Sequence, residues 1–160
     1  MLKLNVNNET SKLLAVVLGT AKSNGPAPKL EDCYDPKSRE NVLANTYPTE
    51  IDMVDELNQL REVLVKHNVN VYRPEVINNY NQIFSRDIGF VIDDFFIVAN
   101  ILPDRSNEIF AIQKVLDLIP KNKIIELPDD CHVEGGDVIL NNDYIFIGTC
   151  LLYTSDAADD

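Results

Sequence analysis

The sequence lacks tryptophan altogether and holds only two histidines, three cysteines and six glycines in 160 residues. The missing tryptophan does not preclude a core, because six Phe and six Tyr remain to anchor one. Cys33, Cys131 and Cys150 are too scattered for a disulfide framework or a paired-cysteine metal site. Reduced thiols in the cytoplasm are the expectation, with no metal and no cofactor. Basic residues are also scarce: Lys and Arg number 14 against 26 Asp and Glu, a formal charge of −12 and a pI near 4.5. That balance excludes a phosphate-neutralising nucleic-acid surface and disfavours an anionic membrane. It would welcome a small cation. No apolar run approaches the roughly 18 residues of a membrane span. Residues 13–18 form a short apolar run after a polar stretch containing Glu9, so no signal peptide is expected. Gly19 stands alone, without the glycine spacing of a dinucleotide-binding turn.

What is present is ordinary globular material. Apolar residues make up 45% and charged residues 25%, and the length suits one domain or part of one. The tail breaks the pattern. Residues 150–160 abruptly lose the alternation of the preceding strand-like run. They resemble the in-frame translation of a transposase end sequence used in sequencing adapters. The expectation is a native segment of residues 1–149, with Cys150, Asp156, Asp159 and Asp160 carrying no function. The chain stays strongly acidic without them.

Residues 1–11 read as polar and frayed, and 12–19 as a buried strand. Residues 20–46, with Gly25, Pro26, Pro28 and Pro36, read as a long irregular stretch, either a lid or a surface loop. Thr49 can cap a helix that Glu50 and Asp52 favour electrostatically. Ile51, Val54, Leu57, Leu60 and Leu64 then supply its buried face. His67 near its end is expected to meet the helix dipole or solvent. A strand over 69–72 follows. Asp93-Asp94 predicts a hairpin between 89–92 and 95–99. Ser106 can cap a second helix bearing Ile109, Ile112, Val115, Leu116 and Ile119 and ending at Pro120. A strand over 123–127 precedes a second hairpin around Asn141-Asn142-Asp143. Strands and helices therefore interleave in a repeated α/β module.

Two segments stand out chemically. Phe84-Ser85-Arg86-Asp87 precedes the first hairpin, and His132-Val133-Glu134-Gly135-Gly136-Asp137 precedes the second. Each puts an acid at the mouth of a strand that should be buried, where acids are rare unless paired. The glycine pair permits positive φ and close approach of backbone to a ligand. The spacing alone favours the simpler reading, two turns carrying solvated acids.

These segments, with Asn100, Arg105 and Glu108 between them, resemble the guanidino-group-modifying superfamily of arginine deiminases, dimethylarginine dimethylaminohydrolases and amidinotransferases. The resemblance spans 12–148. It implies an α/β fold, the five-module α/β propeller called the pentein fold, of which about half would be present. It implies that Asp87 binds the guanidinium nitrogens and that Phe84 stacks on the guanidinium plane. Glu134 would contact substrate and support a catalytic His, and Arg105 would recognise a substrate carboxylate. Asp137 would brace the glycine turn, and Arg86 would partner an acid. Planar, permanently charged guanidinium requires paired carboxylate acceptors when held away from water. The implied reaction uses a Cys thiolate and a His acid/base, with the thiolate attacking the guanidinium carbon. Neither has a match in this sequence, so the chain itself is expected to be inactive.

The implied ligand is an arginine-like guanidino compound, and self-association of the full-length protein stays open. An amidinotransferase of the same fold is an alternative to a hydrolase, as is a non-catalytic binding protein with this architecture. His132-Val133-Glu134 fits half of a zinc-deaminase pattern, but no Pro-Cys-x-x-Cys follows. His132 is expected to be structural or partly exposed. Cys33 and Cys131 have no sequence-evident His partner.

Overall fold

The computed structural model describes residues 1–33 and 36–148. The apparent adapter tail, Cys150 included, lies outside the described residues. Two parallel strands open the fold, β1 (Ala15–Val17) and β2 (Asn70–Tyr72), in the register Ala15↔Asn70 to Val17↔Tyr72. Between them lie a short helix α1 (Pro36–Leu43) and the long helix α2 (Glu50–Lys66). A three-stranded sheet follows. Strand β3 (Gly89–Ile92) pairs antiparallel with β4 (Phe95–Val98), and β4 pairs parallel with β5 (Ile124–Glu126). Short helices α3 (Glu108–Ala111) and α4 (Gln113–Leu116) lie in the β4–β5 crossover. A further hairpin, β6 (Val138–Asn141) and β7 (Tyr144–Ile147), completes the described chain.

The two hairpins match strand for strand. Each loop has two residues, Asp93-Asp94 or Asn142-Asp143, and the first adopts a left-handed backbone with φ of 51° or 52°. Asn and Asp tolerate that conformation better than other non-glycine residues, which is why the loops were legible. Asn141 itself sits in β6, opposite Tyr144. Alternation along β3 divides the interior. Val91 packs on a core of Ile88, Phe96, Ile101, Ile112, Leu116 and Ile119. Phe90 and Ile92 face a second cluster of Val133, Val138 and Leu140.

Helix α2 starts where expected. Thr49 Oγ1 accepts from the Asp52 amide at 3.2 Å, and the Asp52 carboxylate accepts from the Thr49 amide at 3.2 Å. This capping holds the Asp52 carboxyl below its ordinary pKa, chiefly through the Thr49 side chain. The expected face is only partly covered. Val54, Leu57 and Leu64 are half-buried and Met53 is buried, whereas Ile51 is 74% and Leu60 46% exposed. Ile51 lies about 160° around the helix from Met53, at roughly 100° per residue, so the two cannot share the buried side.

Three other expectations need correction. The stretch 20–46 is partly helical and anchored: the Glu50 carboxylate accepts from the amides of Ser23 at 3.0 Å and Gly25 at 3.4 Å. Pro36 opens α1, where its missing N–H costs nothing. The second expected helix is broken at Ile112. The Glu75 amide donates to the Ala111 carbonyl at 2.8 Å, the acceptor Val115 would have used, and Val115 bonds Ile112 instead. Ser106 does not cap this helix, because its hydroxyl donates to the Pro103 carbonyl.

The N-terminal residues are not frayed either. Leu2 and Leu4 pack on the first core. Val6 bridges to Asp93 and Asn8 to Asn141, so the segment straps both hairpins. The alternation Leu2-Lys3-Leu4-Asn5-Val6 is the strand signal behind this, diluted by the polar residues that follow. Replacing Leu2 and Leu4 together by Ser is expected to lower unfolding stability by about 2–4 kcal/mol. Urea denaturation checks this, and an unchanged midpoint would show the strap to be undocked.

Candidate functional site

Two loops meet at the entrances of β3 and β6. The Gly135 amide donates to the Asp87 carbonyl at 3.2 Å. A Cβ at Gly135 would lie 2.1 Å from the Arg86 carbonyl oxygen, and one at Gly136 would lie 2.8 Å from Asp87 Oδ1. The glycine pair therefore serves close approach of the two segments. Positive φ, the other expected role, is not used: Gly135–Asp137 form a 3-10 turn. Arg86 staples the junction, donating from Nε to the Gly135 carbonyl at 3.0 Å and from Nη2 to the Val138 carbonyl at 2.7 Å. Its Nη2 also reaches the Glu9 carboxylate at 3.2 Å, and Glu9 accepts from the Leu140 amide. Arg86 thus does meet an acid, on the N-terminal strap. Asp137 braces the turn through its backbone, its amide donating to the Glu134 carbonyl and its carbonyl accepting from Gly148.

The contact brings Asp87 and Glu134 to the same cation, the guanidinium of Arg105. Arg105 Nη1 lies 2.9 Å from Asp87 Oδ2 and 3.8 Å from Glu134 Oε1. Arg105 Nε donates to Glu108 Oε1 at 2.7 Å, and Nη2 contacts Glu108 Oε2 and the Phe84 carbonyl, each at 3.3 Å. Three carboxylates and one carbonyl surround one guanidinium whose side chain is 18% exposed. Arg105 points inward, its fork engaged by Glu108, rather than outward to a ligand carboxylate. The Phe84 side chain is exposed, and its carbonyl is what touches the cluster.

Glu108 is the residue to which sequence reasoning assigned no role. Its side chain is 2% exposed, and both oxygens face Arg105. The available signal was the Arg-x-x-Glu spacing, which places both side chains on one side of a helical turn. Burying Glu108 alone would be costly, and breaking such a pair typically costs about 3–5 kcal/mol.

The charge states follow from this packing. Burial opposes the Arg105 charge, but the hydrogen bonds it donates to Glu108 and Asp87 outweigh it and hold its pKa above the ordinary value. Burial pushes the Glu108 carboxyl up, against the pull of Arg105. Burial also pushes Glu134 up, reinforced by the Asp87 charge and opposed by Arg105. Glu134 Oε1 is buried and accepts no hydrogen bond. An oxygen in that position is an acceptor waiting for a donor.

Elsewhere, His67 is the exposed C-cap of α2, and His132 is exposed. Cys33 is buried, its Sγ donating to the Lys29 carbonyl at 3.3 Å, and Cys131 is exposed. Among the described residues no helix is long and apolar enough to cross a membrane.

No family model matches the chain. An uncharacterised protein of Bacillus subtilis (strain 168), YkgA, is 34% identical over 98 residues, which cover 59% of this chain and 33% of that protein. Three solved structures align over 86% of this chain. SxtG, an amidinotransferase from Microseira wollei in the saxitoxin biosynthetic pathway, has a TM-score of 0.63, 18% identity and 52% of its length covered. The inosamine-phosphate amidinotransferase of Streptomyces griseus gives 0.59, 16% and 52%. DDAH from Pseudomonas aeruginosa, a cysteine-to-serine mutant complexed with citrulline, gives 0.60, 14% and 50%. The chain therefore shares the α/β pentein fold of these structures and spans about half their length.

The raised Glu134 pKa has a signed consequence for stability. Its contribution is full below the unfolded value, about 4.3, and is lost as pH rises through the higher folded value. Wild type should therefore gain stability relative to Glu134→Gln as pH falls from about 7.5 to about 4.5. Parallel urea titrations of the two proteins measure the difference, and a flat difference would mean that Glu134 is not desolvated.

Proposed function

We propose that this chain carries the guanidinium-binding acids of a guanidino-group-modifying enzyme acting on arginine or a derivative. The observation that supports this most is the buried Glu134 Oε1, without a hydrogen bond, beside the Asp87 carboxylate, both gathered on one small cluster. A flat cation with several N–H groups suits such acceptors, since guanidinium pairs with carboxylate through parallel hydrogen bonds. Asp87 keeps Oδ1 for such a ligand while Oδ2 holds Arg105. Phe84, exposed beside the cluster, offers an aromatic face to the same cation.

In this reading residues 1–149 are the N-terminal part of a single catalytic propeller. The thiolate nucleophile and the His acid/base come from residues beyond them. The thiolate attacks the guanidinium carbon, and the His protonates the departing amine. Water then cleaves the resulting thiouronium in a hydrolase, and an acceptor amine does so in an amidinotransferase. The Glu-Gly-Gly-Asp segment favours the hydrolase. The amidinotransferase is a second reading, supported by its recurrence among the similar structures.

Two measurements test the proposal. The 160-residue chain should release no citrulline from arginine or methylated arginines, and turnover by the pure chain would refute the missing nucleophile. In the full-length protein, Asp87→Ala should raise the barrier measured by kcat/KM by about 3–5 kcal/mol, because a desolvated cation loses its countercharge. Near-normal kinetics would remove Asp87 from the site.

A further inference from the structure

We propose that Glu108 is a positioning residue: by gripping Arg105 through two oxygens, it makes that guanidinium a fixed internal countercharge for Asp87 and Glu134. The inference rests on the proposed guanidinium site and assigns Arg105 a role other than reading a substrate carboxylate.

The geometry carries the argument. Glu108 takes Arg105 Nε at 2.7 Å and contacts Nη2 at 3.3 Å, which fixes the plane of the fork. That leaves Nη1 directed at Asp87 Oδ2 at 2.9 Å and close to Glu134 Oε1 at 3.8 Å. The Phe84 carbonyl holds Nη2 from the other side. Without this cation, three carboxylates would share one poorly hydrated spot, and like charges so placed favour protonation. Protonated acids bind a cation poorly. With Arg105 in place the cluster keeps a net negative charge, Asp87 Oδ1 stays available, and Glu134 Oε1 remains an open acceptor. The other titratable groups facing Glu108 or Glu134 are Asp104, Tyr80 and Asp137. They are acids and a phenol, so Arg105 is the cation acting on both sites.

The sign of one measurement separates positioning from simple charge removal. Glu108 carries a negative charge that itself opposes ionisation of Glu134. Deleting that charge with no other change would make Glu134 easier to ionise. Releasing Arg105 from its place would make Glu134 harder to ionise.

The test is carboxylate carbon NMR titration of wild type and Glu108→Gln, with methylguanidine binding followed on the same samples. We expect Glu108→Gln to raise the proton affinity of Glu134 about threefold to tenfold and to weaken methylguanidine binding. A lowered or unchanged proton affinity at Glu134 would overturn the inference. If Glu108→Gln fails to fold, Arg105→Lys carries the test. It keeps a positive charge but cannot span the fork, and the same direction is expected and the same opposite result refutes it. Methylguanidine that leaves Asp87 and Glu134 of the wild type unperturbed would refute the guanidinium site itself. The proton-affinity result in the variants reads the positioning role independently of that outcome.

Discussion

The guanidinium of Arg105 holds together chain segments that would otherwise repel. Asp87 enters from the loop before β3, Glu108 from the start of α3, and Glu134 from the loop before β6. All three are wholly or partly withdrawn from water, and all three are acids. Without a cation at its centre, acids so placed would be driven toward protonation. A planar fork with donors on both edges is the side chain best shaped to face several carboxylates at once. The cation is itself desolvated, and its hydrogen bonds to Glu108 and Asp87 more than offset that cost.

The backbone had to be permissive for this meeting to occur. Gly135 lies where any side chain would strike the Arg86 carbonyl, and Gly136 lies against the Asp87 carboxylate. Arg86 then locks the junction through the carbonyls of Gly135 and Val138, and Glu9 ties it to the N-terminal strap. Sequence neighbours thus divide the labour. Arg86 satisfies backbone oxygens, and Asp87 faces the charged cluster. The matched hairpins give the site its geometry, because each module presents the entrance of its first strand to the same region.

Much of this was legible because it was local. Thr49 and Asp52 are three residues apart and form a reciprocal cap on their own. Asp93 and Asn142 mark two-residue hairpin loops by residue type alone. Asp87 and Glu134 stood out as acids at strand entrances. What escaped was decided by distant partners. The break at Ile112 depends on an amide from Glu75, and the burial of Leu2 and Leu4 depends on a core assembled far along the chain. Ile51 fits a helical stripe as well as Met53 does, yet of the two only Met53 is buried in the fold. Glu108 carried no assigned role, and its burial goes with a partner three residues away, Arg105, that engages both its oxygens.

Charge balance connects the cluster to the wider molecule. Asp87, Glu108 and Glu134, when ionised, outnumber the one cation among them, and the whole chain carries a formal −12. The surplus is tolerable because the acids differ in environment. Glu108 is sealed against Arg105 and makes close contact through both oxygens, so it is spent on structure. Asp87 gives one oxygen to the same cation and keeps another. Glu134 gives none within hydrogen-bond distance and keeps a buried oxygen unpaired. The three carboxylates therefore form a gradient from fully committed to open. The repulsion between Asp87 and Glu134 that this cation leaves behind is what the proposed guanidinium ligand would relieve.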